Sequence, residues 1–435
     1  MSSNPQMVAV ASLGTGRFPS PLRRSAVAGD GTPSFVPDGI YVRHEVEVPT
    51  SHTELMFEKA GPRQQIHFDP ARTRAALVTC GGLSPGLNDV IRSAFLELHM
   101  NYGVPEVLGI RYGYQGLNPQ VGEPPLRLTP EIVEDIHREA GTILGSSRGN
   151  QDPAVMVDFL QSQRINILFC IGGDGTQRGA HRIHEEVQRR GLDVAVVGIP
   201  KTIDNDILYC QQSFGLVTAV AEAQRVLDCA HAESKGVPYG VGLVKLMGRE
   251  AGFIAAAATV ASQDVNFTLI PELPFALHGE HGFLAALRER IQRRRHAVVV
   301  VAEGAGQSLF EAEQVERDAS GNVKFQDIGL FLKQEMLAFF EREGPKVDVK
   351  YIDPSYIIRS VPANCDDSVL CDQFARNAVH AGMAGKTDVL IGRINAKFVH
   401  VPIAMISGQK QRLSLAGDLW ASVLAATGQP REFAA

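Results

Sequence analysis

The sequence predicts an α/β protein with two doubly wound, Rossmann-like lobes that follow an N-terminal extension. Three observations lead to this fold class. From residue 74 onwards, short apolar runs alternate with stretches of helical periodicity, which is typical of parallel sheets covered by helices. Several of these runs end in loops rich in glycine or aspartate, the position at which open parallel sheets bind ligands. At 435 residues the chain is also too long for one hydrophobic core.

The composition is that of a globular protein, with 44% hydrophobic and 21% charged residues. The formal net charge of -6 gives no indication of nucleic-acid binding, so any phosphate must be bound by local basic residues and backbone amides. The sequence has no apolar run of about 18 residues, and no membrane span is expected. Its six cysteines lack metal-type spacing, which favours free thiols in a reducing compartment. Without a recognisable targeting signal, the predicted location is the cytoplasm.

The N-terminal part of the chain differs from the rest. Residues 1–70 are rich in glycine, proline and serine, and we expect an extension that is partly flexible and partly laid over the first lobe. The first lobe is predicted to span residues 71–212 and to be completed by residues 366–435. A helix is predicted over 129–140, with Thr129 as its N-cap. The strands of this lobe are predicted at 75–80, 107–110, 165–171 and 194–199.

The same alternation continues in a second lobe, which is predicted to span residues 213–365. Its strands are predicted at 240–246, 265–270, 297–302 and 347–351. Long helices are predicted at 214–234 and 328–343. In the completing segment, a helix over 366–384 precedes two paired strands at 388–394 and 397–401, and a last helix covers 415–427.

The sharpest local motif is Gly172-Gly173-Asp174-Gly175-Thr176, which directly follows a predicted strand. Glycines let a backbone approach a phosphate closely, and the next helix adds amides and a partial positive charge. An aspartate in such a loop would repel phosphate unless it binds a cation. Asp174 is therefore a candidate Mg²⁺ ligand, either directly or through water. The alternative interpretation is a tight turn in which Asp174 caps the helix.

A second motif, Thr202-Ile203-Asp204-Asn205-Asp206, follows the next predicted strand. A phosphoryl acceptor must lose its hydroxyl proton as the new bond forms, and a nearby carboxylate can take that proton. We assign this role to Asp204, with Asp206 orienting it, the substrate or a metal-bound water. The alternative is ordinary turn chemistry, because aspartate and asparagine are common in loops after strands. The closeness of the glycine loop favours catalysis.

Further candidates lie in loops after predicted strands or helices. These are Gly82, Arg148, Met247, Gly248, Arg249, Glu303, Tyr356 and Arg359. An acid for sugar hydroxyls and arginines for a phosphate would suit a phosphosugar. The alternative for each is plain, because paired glycines form turns and single arginines usually lie at the surface. Together with the two motifs, these residues predict phosphoryl transfer.

In this order along the chain, the motifs resemble those of the phosphofructokinase family. The resemblance spans residues 74–430. Within the family, the sequence most resembles the ATP-dependent enzymes of plants and trypanosomatids, whose own sequences are similar to those of the pyrophosphate-dependent branch. It implies an active site in the cleft between two lobes, a homo-oligomer (dimer or tetramer), and fructose 6-phosphate and ATP as substrates with Mg²⁺. The segments that carry the resemblance are 80–88, 172–176, 198–206, 246–249, 302–306 and 351–356.

The resemblance also implies roles for single residues. Asp204 would be the base on the 1-hydroxyl of fructose 6-phosphate, with Thr202 and Asp206 beside it, and Arg249 would help to neutralise the transferring phosphoryl group. The residues that would bind the sugar phosphate are Thr202, Asp204, Met247, Gly248, Arg249, Glu303, Tyr356 and Arg359. The residues that would bind the nucleotide and its Mg²⁺ in the first lobe are Gly82, Arg148, Gly173, Asp174, Gly175 and Thr176.

Two positions bear on the phosphoryl donor. Pyrophosphate-dependent relatives usually have aspartate at the position of Gly175, and its side chain would crowd and repel the α-phosphate of ATP. Lys201 matches the pyrophosphate-dependent enzymes, although it also occurs in the ATP-using plant and trypanosomatid enzymes. Because exclusion by size and charge is the stronger constraint, the sequence favours ATP. The pyrophosphate-dependent phosphotransferase is the first alternative.

Two more candidate functions belong to different classes of protein. Lipid and NAD kinases also contain the glycine motif but lack partners such as Asp204 and Arg249. A non-catalytic sensor of phosphosugar or nucleotide would not be expected to keep Asp204 and Asp206. One departure from the family is that Gly240 stands where short bacterial members have an arginine that reaches a neighbouring subunit, so effector control is not implied.

Overall fold

The computed structural model describes residues 5–46, 54–149, 151–310 and 324–434. The described strands are β1 (Gln6–Met7), β2 (Phe18–Pro19), β3 (Tyr41–Arg43), β4 (Leu55–Glu58), β5 (Gln65–Ile66), β6 (Arg74–Thr79), β7 (Glu106–Ile110), β8 (Leu126–Arg127), β9 (Ile167–Gly172), β10 (Ala195–Pro200), β11 (Gly240–Leu246), β12 (Phe267–Leu269), β13 (His296–Ala302), β14 (Asp348–Ile352), β15 (Val389–Ile394) and β16 (Lys397–Pro402). The described α-helices are α1 (Leu87–Leu96), α2 (Pro130–Val133), α3 (Pro153–Ser162), α4 (Asp174–Arg189), α5 (Leu216–Lys235), α6 (Phe253–Ser262), α7 (Phe283–Arg294), α8 (Ile328–Glu343), α9 (Cys365–Met383) and α10 (Asp418–Thr427).

The chain is a mixed α/β protein with parallel sheets. Its elements form two compact units. Unit one contains the described residues of Met1–Thr202, Ile207–Gly215 and Val361–Gln409. Unit two contains those of Ile203–Asp206, Leu216–Ser360 and Lys410–Ala435.

Unit one is organised around a seven-stranded sheet with the order β16-β15-β10-β9-β6-β7-β8. The five inner strands are parallel, and β16 and β8 add antiparallel edges. Every residue of β9 and β10 is buried, which explains why both strands are continuous apolar runs in the sequence. From β6 the chain goes first to β7 on one side and later to β9 on the other, so the strand order reverses between β6 and β9. In open α/β sheets this is the position at which ligands bind.

The N-terminal extension packs on unit one, where β1, β4 and β3 form a small sheet and β2 pairs with β5. The contact with the large sheet includes a hydrogen bond from the Ala60 N–H to the Phe398 carbonyl oxygen (2.9 Å). Phe57 and Ile66 are fully buried in the core of this unit. Residues 1–4 and 47–53 of the predicted extension lie outside the described residues.

Unit two has a four-stranded, wholly parallel sheet with the order β12-β13-β11-β14. The described residues of 410–435 group with this unit and residues 361–409 with unit one, whereas the sequence placed all of residues 366–435 with the first lobe. The reason is hydrophobic, because Trp420 of α10 is buried in one core cluster with Ile254 of α6. Helix α9, by contrast, buries Phe374 in the core of unit one.

Two local predictions had different outcomes. The paired strands predicted at 388–394 and 397–401 are confirmed as the antiparallel pair β15 and β16. Asn395 and Ala396 both have positive φ there (49° and 58°), as a tight two-residue hairpin requires.

The helix predicted over 129–140 is wrong. Thr129 caps α2 as expected, but α2 ends at Val133 and a 3-10 turn follows, since only Val133 and Ile136 of this stretch are buried.

Two composition-based expectations can be compared with the structure. Among the described residues, no helix is long and apolar enough to cross a bilayer. All six cysteines are free thiols, and four of them are buried.

Candidate active site

The glycine motif lies where predicted, at the carboxyl end of β9 in unit one. Helix α4 begins at Asp174, and Gly173 is its N-cap without any side-chain capping bond. The alternative in which Asp174 caps the helix is therefore wrong, because Asp174 is already the first helical residue. Its side chain lies at the positive end of a helix of 16 residues, where the free backbone amides favour an anion.

The two carboxylate oxygens of Asp174 differ. Oδ2 is paired with Arg178, one turn further along α4. Oδ1 is buried and has no hydrogen-bond partner. A buried, unpartnered carboxylate oxygen suits a hard cation such as Mg²⁺. Within the described residues, no group of three or more histidine, cysteine, aspartate or glutamate side chains could hold a metal ion.

The glycines of this motif have different surroundings. A Cβ at Gly172 would lie 2.1 Å from the Thr176 Oγ1, so the Thr176 side chain is folded over this glycine and is only 6% exposed. A Cβ at Gly175 would meet, among the described atoms beyond its chain neighbours and the backbone of its own helix, only the Arg178 Nη2, at 3.8 Å. At Gly173 it would be 3.4 Å from the Lys201 carbonyl oxygen. The backbone at Gly173 and Gly175 is therefore open to close approach.

Lys201 joins the loop after β10 to the loop after β6. Its Nζ donates a hydrogen bond to the Gly82 carbonyl oxygen (2.5 Å), and its backbone N–H donates to the Gly172 carbonyl oxygen (3.0 Å). Ser146 donates to the Gly81 carbonyl oxygen (2.6 Å). The sequence analysis gave no role to Ser146. Arg148, two residues further along the same loop, is exposed.

Unit two contains a cluster of carboxylates around Asp204. The Asp204 Oδ2 accepts a hydrogen bond from the Arg249 backbone N–H (3.3 Å), while Oδ1 is buried and has no hydrogen-bond partner. Burial raises the pKa of Asp204 to about 7, and the negative charges of Asp206 and Glu303 add to this effect. The Arg249 N–H and Lys410 act in the opposite direction. A carboxylate with this pKa can accept a proton near neutral pH.

The backbone around Asp204 adopts an uncommon conformation. Asn205 has φ of +57°, in the left-handed region that asparagine tolerates better than most residues. Lys410 Nζ pairs with Asp206 Oδ2 at 2.6 Å, and the Gln411 side chain donates to the Asn205 carbonyl oxygen (3.0 Å). Sequence reasoning missed Lys410 and Gln411. No local motif distinguishes them, and about 200 residues separate them from this loop.

The Met247-Gly248-Arg249 segment and Glu303 leave the same edge of the second sheet, because Leu246 of β11 is in register with Ala302 of β13. The Gly304 N–H donates to the Gly248 carbonyl oxygen (3.0 Å). A Cβ at Gly304 would lie 1.8 Å from the Arg249 carbonyl oxygen, so only glycine permits this approach of the two loops. Burial also raises the pKa of Glu303.

Two arginines, Arg249 and Arg359, lie near this edge of the second sheet, where both act electrostatically on Glu303. The Arg249 guanidinium carbon lies 4.4 Å from the centroid of the Phe325 ring. Arg359 lies 4.8 Å from the Tyr356 ring, its Nε is buried without a hydrogen-bond partner, and Tyr356 itself is 75% exposed. Lys245, which sequence reasoning missed, pairs with Asp327 and Asp353 at 2.9 Å each.

The structure thus places the predicted site residues in two groups. Thr202 belongs to unit one, where its carbonyl oxygen accepts a hydrogen bond from Ser213 (2.5 Å), and unit two begins at Ile203. The predicted residues on unit one are Gly82, Arg148, Gly173, Asp174, Gly175, Thr176, Lys201 and Thr202. Those on unit two are Asp204, Asp206, Met247, Gly248, Arg249, Glu303, Tyr356 and Arg359.

Gly240 stands where short bacterial members of the family have an arginine. A Cβ at this position would lie 2.2 Å from the Ser234 carbonyl oxygen, so an arginine would not fit this backbone.

Comparison with known proteins identifies the family. The sequence model of the phosphofructokinase family matches residues 74–382. An ATP-dependent 6-phosphofructokinase of Borreliella burgdorferi is 46% identical over 413 residues, which is 93% of this chain and 92% of that protein. One of Trypanosoma cruzi is 46% identical over 380 residues, covering 87% of this chain and 78% of that protein. The crystal structure of a pyrophosphate-dependent phosphofructokinase from Nitrosospira multiformis shares the fold, with a TM-score of 0.67 at 18% identity over 84% of this chain and 93% of that one. The chain belongs to the phosphofructokinase family.

Proposed function

We infer that this chain is an ATP-dependent 6-phosphofructokinase. It transfers the γ-phosphoryl group of ATP to the 1-hydroxyl of fructose 6-phosphate, giving fructose 1,6-bisphosphate and ADP in glycolysis. The observation that carries this inference is the 46% identity, over 93% of the chain, to a protein of that name. The chemistry of the two groups of site residues agrees with it, since one suits a polyphosphate and the other a sugar phosphate.

On the acceptor side, Asp204 acts as the general base. Its unpartnered Oδ1 is available to accept a hydrogen bond from the 1-hydroxyl, and its pKa of about 7 lets it take the proton at neutral pH. Asp206 and Thr202 lie beside the base in sequence and orient it and the substrate. The proton leaves the hydroxyl oxygen for Asp204 as that oxygen bonds to the γ-phosphorus, and the bond from this phosphorus to the β,γ-bridging oxygen breaks, so that ADP leaves.

The rest of unit two binds the sugar phosphate. Glu303 accepts hydrogen bonds from sugar hydroxyls, and Arg359 has a buried Nε without a partner that can donate to a phosphate oxygen. Met247, Gly248 and Tyr356 complete the substrate set. Arg249 donates its backbone N–H to the base, and its guanidinium stabilises the negative charge on the transferring group.

On the donor side, the nucleotide lies against the backbone of Gly173 and Gly175, where no side chain fills the space. Asp174, whose Oδ1 is buried without a partner, would hold Mg²⁺. When bound, the metal neutralises charge on the phosphate oxygens. Gly82, Arg148 and Thr176 complete the nucleotide set.

The choice of donor depends on Gly175 and Lys201. Among the described atoms outside the backbone of α4 and the two neighbouring residues, only the Arg178 Nη2 lies within 4 Å of a Cβ built at Gly175, which leaves room there for the α-phosphate of ATP. Lys201 Nζ donates to the Gly82 carbonyl oxygen, so its hydrogen-bonding capacity is partly used by unit one itself. The alternative donor is pyrophosphate, as in the solved relative from Nitrosospira multiformis.

One assay separates these functions. The purified protein is incubated with fructose 6-phosphate, MgCl₂ and either ATP or pyrophosphate, and fructose 1,6-bisphosphate is measured. We expect turnover with ATP and at least about tenfold lower kcat/KM with pyrophosphate, a difference of about 1.4 kcal/mol in transition-state stabilisation. Turnover with pyrophosphate alone would assign the chain to the alternative function, and binding of both substrates without turnover would indicate a sensor.

The proposal also covers the two lobes, the oligomeric state and the location of the enzyme. Units one and two correspond to the nucleotide-binding and sugar-phosphate-binding lobes, each doubly wound and Rossmann-like. The active enzyme is a homo-oligomer in the cytoplasm, in keeping with its free thiols. Light scattering coupled to size-exclusion chromatography distinguishes a dimer or tetramer from a monomer.

A further inference from the structure

A short segment of unit two holds the loop that carries Asp204. We call residues 410–413 the strap and residues 203–206 the base loop. Lys410 Nζ lies 2.6 Å from Asp206 Oδ2, the Gln411 N–H donates to the Asp206 carbonyl oxygen (2.9 Å), and the Gln411 side chain donates to the Asn205 carbonyl oxygen (3.0 Å). At its other end, the Leu413 N–H donates to Glu272 Oε1 (2.7 Å). The strap is thus bonded to the base loop at three points and to the body of unit two at a fourth.

The base loop carries two carboxylates in a buried position. Asp204 and Asp206 are each 8% exposed, and Glu303 adds a third negative charge nearby. Like charges in a buried site cannot all remain ionised without compensation. The groups that oppose protonation of Asp204 include the Arg249 backbone N–H and the Lys410 ammonium, which carries a full positive charge.

We propose that Lys410 is a positioning residue for catalysis: by pairing with Asp206 it fixes the base loop and keeps Asp204 ionised, so that Asp204 can accept the substrate proton. This inference rests on the proposed function. Lys410 acts through Asp206 and need not touch the substrate. Its side chain is 30% exposed and that of Asp206 is 12% exposed, so the pair is shielded enough from solvent for its charge to matter.

The test compares pH profiles of kcat/KM for four proteins with fructose 6-phosphate, MgCl₂ and ATP. They are the wild type, Lys410→Gln, Lys410→Arg and the control Arg412→Gln. Arg412 is the matched control because it lies in the same strap and pairs with Glu250 at 3.3 Å, with 59% of its side chain exposed. Melting temperatures confirm that each variant is folded.

For Lys410→Gln we expect the acid limb of the profile to move to higher pH by about one unit. The reason is that loss of the cation favours protonated Asp204. At pH 7 this lowers kcat/KM by about fivefold, and activity recovers towards the wild-type value as the pH rises above the shifted limb. Lys410→Arg should keep the limb within about 0.3 units of the wild type, and Arg412→Gln should follow the wild-type profile.

A loss of the same factor at every pH for Lys410→Gln, with the limb unmoved, would make Lys410 merely structural and overturn the inference. If Lys410→Gln does not fold, the double variant Lys410→Gln/Asp206→Asn replaces it, because it removes the Asp206 charge together with its cationic partner. Its acid limb should then lie at or below that of the wild type, and a limb at higher pH would contradict the proposal. A wild-type protein without phosphofructokinase activity would overturn the proposed function itself and the inference with it.

Discussion

The backbone N–H of Arg249 lies 3.3 Å from Asp204 Oδ2 and donates a hydrogen bond to it. This bond holds one oxygen of the carboxylate and leaves Oδ1 buried without a partner. An unsatisfied buried carboxylate oxygen is costly to a fold, and such groups are retained where a ligand completes them. The Met247-Gly248-Arg249 segment thus positions Asp204 through its backbone, and in the proposed mechanism Asp204 is the base and the Arg249 side chain neutralises charge.

Replacing Asp204 by alanine should abolish most of the catalysis and leave binding intact. The variant lacks the proton acceptor for the 1-hydroxyl, so kcat should fall by about 10² or more, while KM for fructose 6-phosphate changes little. Steady-state kinetics measure both constants. Asp228→Ala is the control, since this aspartate is exposed on α5 and should give wild-type values. Near-normal kcat in Asp204→Ala would remove this residue from the mechanism.

The pH dependence of activity should reflect the raised pKa of Asp204. Burial raises this pKa to about 7, and a carboxyl group with a raised pKa remains protonated over the range in which ordinary aspartates are ionised. The ionised form is the active base, so kcat/KM should fall about tenfold per pH unit below about 7. Initial rates between pH 5.5 and 8.5 test this, with activity recovered at pH 8 after incubation at pH 5.5 as proof of reversibility. A flat profile down to pH 5.5 would contradict the assignment.

Gly175→Asp should impair the use of ATP without unfolding the protein. A side chain at residue 175 meets little within this chain, and an aspartate in the first turn of α4 is favourable to the helix. The new carboxylate would instead crowd and repel the α-phosphate, and we expect kcat/KM for ATP to fall about 100-fold. Gly175→Ala is the control for backbone effects and should lose much less. Unchanged ATP kinetics in Gly175→Asp would show that this position does not select the donor.

Glu58→Gln should destabilise unit one, because Glu58 joins the extension to the main sheet. Its carboxylate lies 2.6 Å from Arg63 Nη2 and 2.9 Å from Lys386 Nζ, and 10% of its side chain is exposed. Breaking such a buried pair costs about 3–5 kcal/mol, which a thermal melt at pH 7 detects as a lower Tm. Glu123→Gln, which removes the exposed pair with Arg111, should cost less than about 1 kcal/mol. Equal melting temperatures for Glu58→Gln and the wild type would contradict this account.

The same pair predicts how stability depends on pH. Burial opposes ionisation of Glu58, but hydrogen bonds from His400 and Lys386 outweigh it, so the pKa of Glu58 lies far below its usual value. A carboxyl group whose pKa is lowered by folding stabilises the folded state at pH values above its unfolded-state pKa of about 4.3. This contribution is lost as the pH falls from that value towards the folded-state pKa. The difference in Tm between the wild type and Glu58→Gln should therefore narrow below about pH 4.

Much of the candidate site was accessible from the sequence because its residues form contiguous motifs. Asp174 and Asp204 each follow a buried strand, and in a parallel sheet that position already indicates a ligand site. Lys245, Lys410 and Gln411 were not accessible, since each is an ordinary polar residue with no motif around it. Their importance arises from partners distant in sequence, such as Asp206 for Lys410.

The sequence by itself determined the α/β class, the positions of most strands along the chain and the family motifs, because hydrophobic periodicity and glycine spacing are local properties of the chain. Only the tertiary structure decided which oxygens are left unpartnered, as at Asp174 and Asp204, and that the base loop belongs to unit two. It also showed that the C-terminal strap holds this loop. The physical reason is that burial, charge pairing and hydrogen-bond satisfaction depend on contacts between distant residues, which local patterns do not encode.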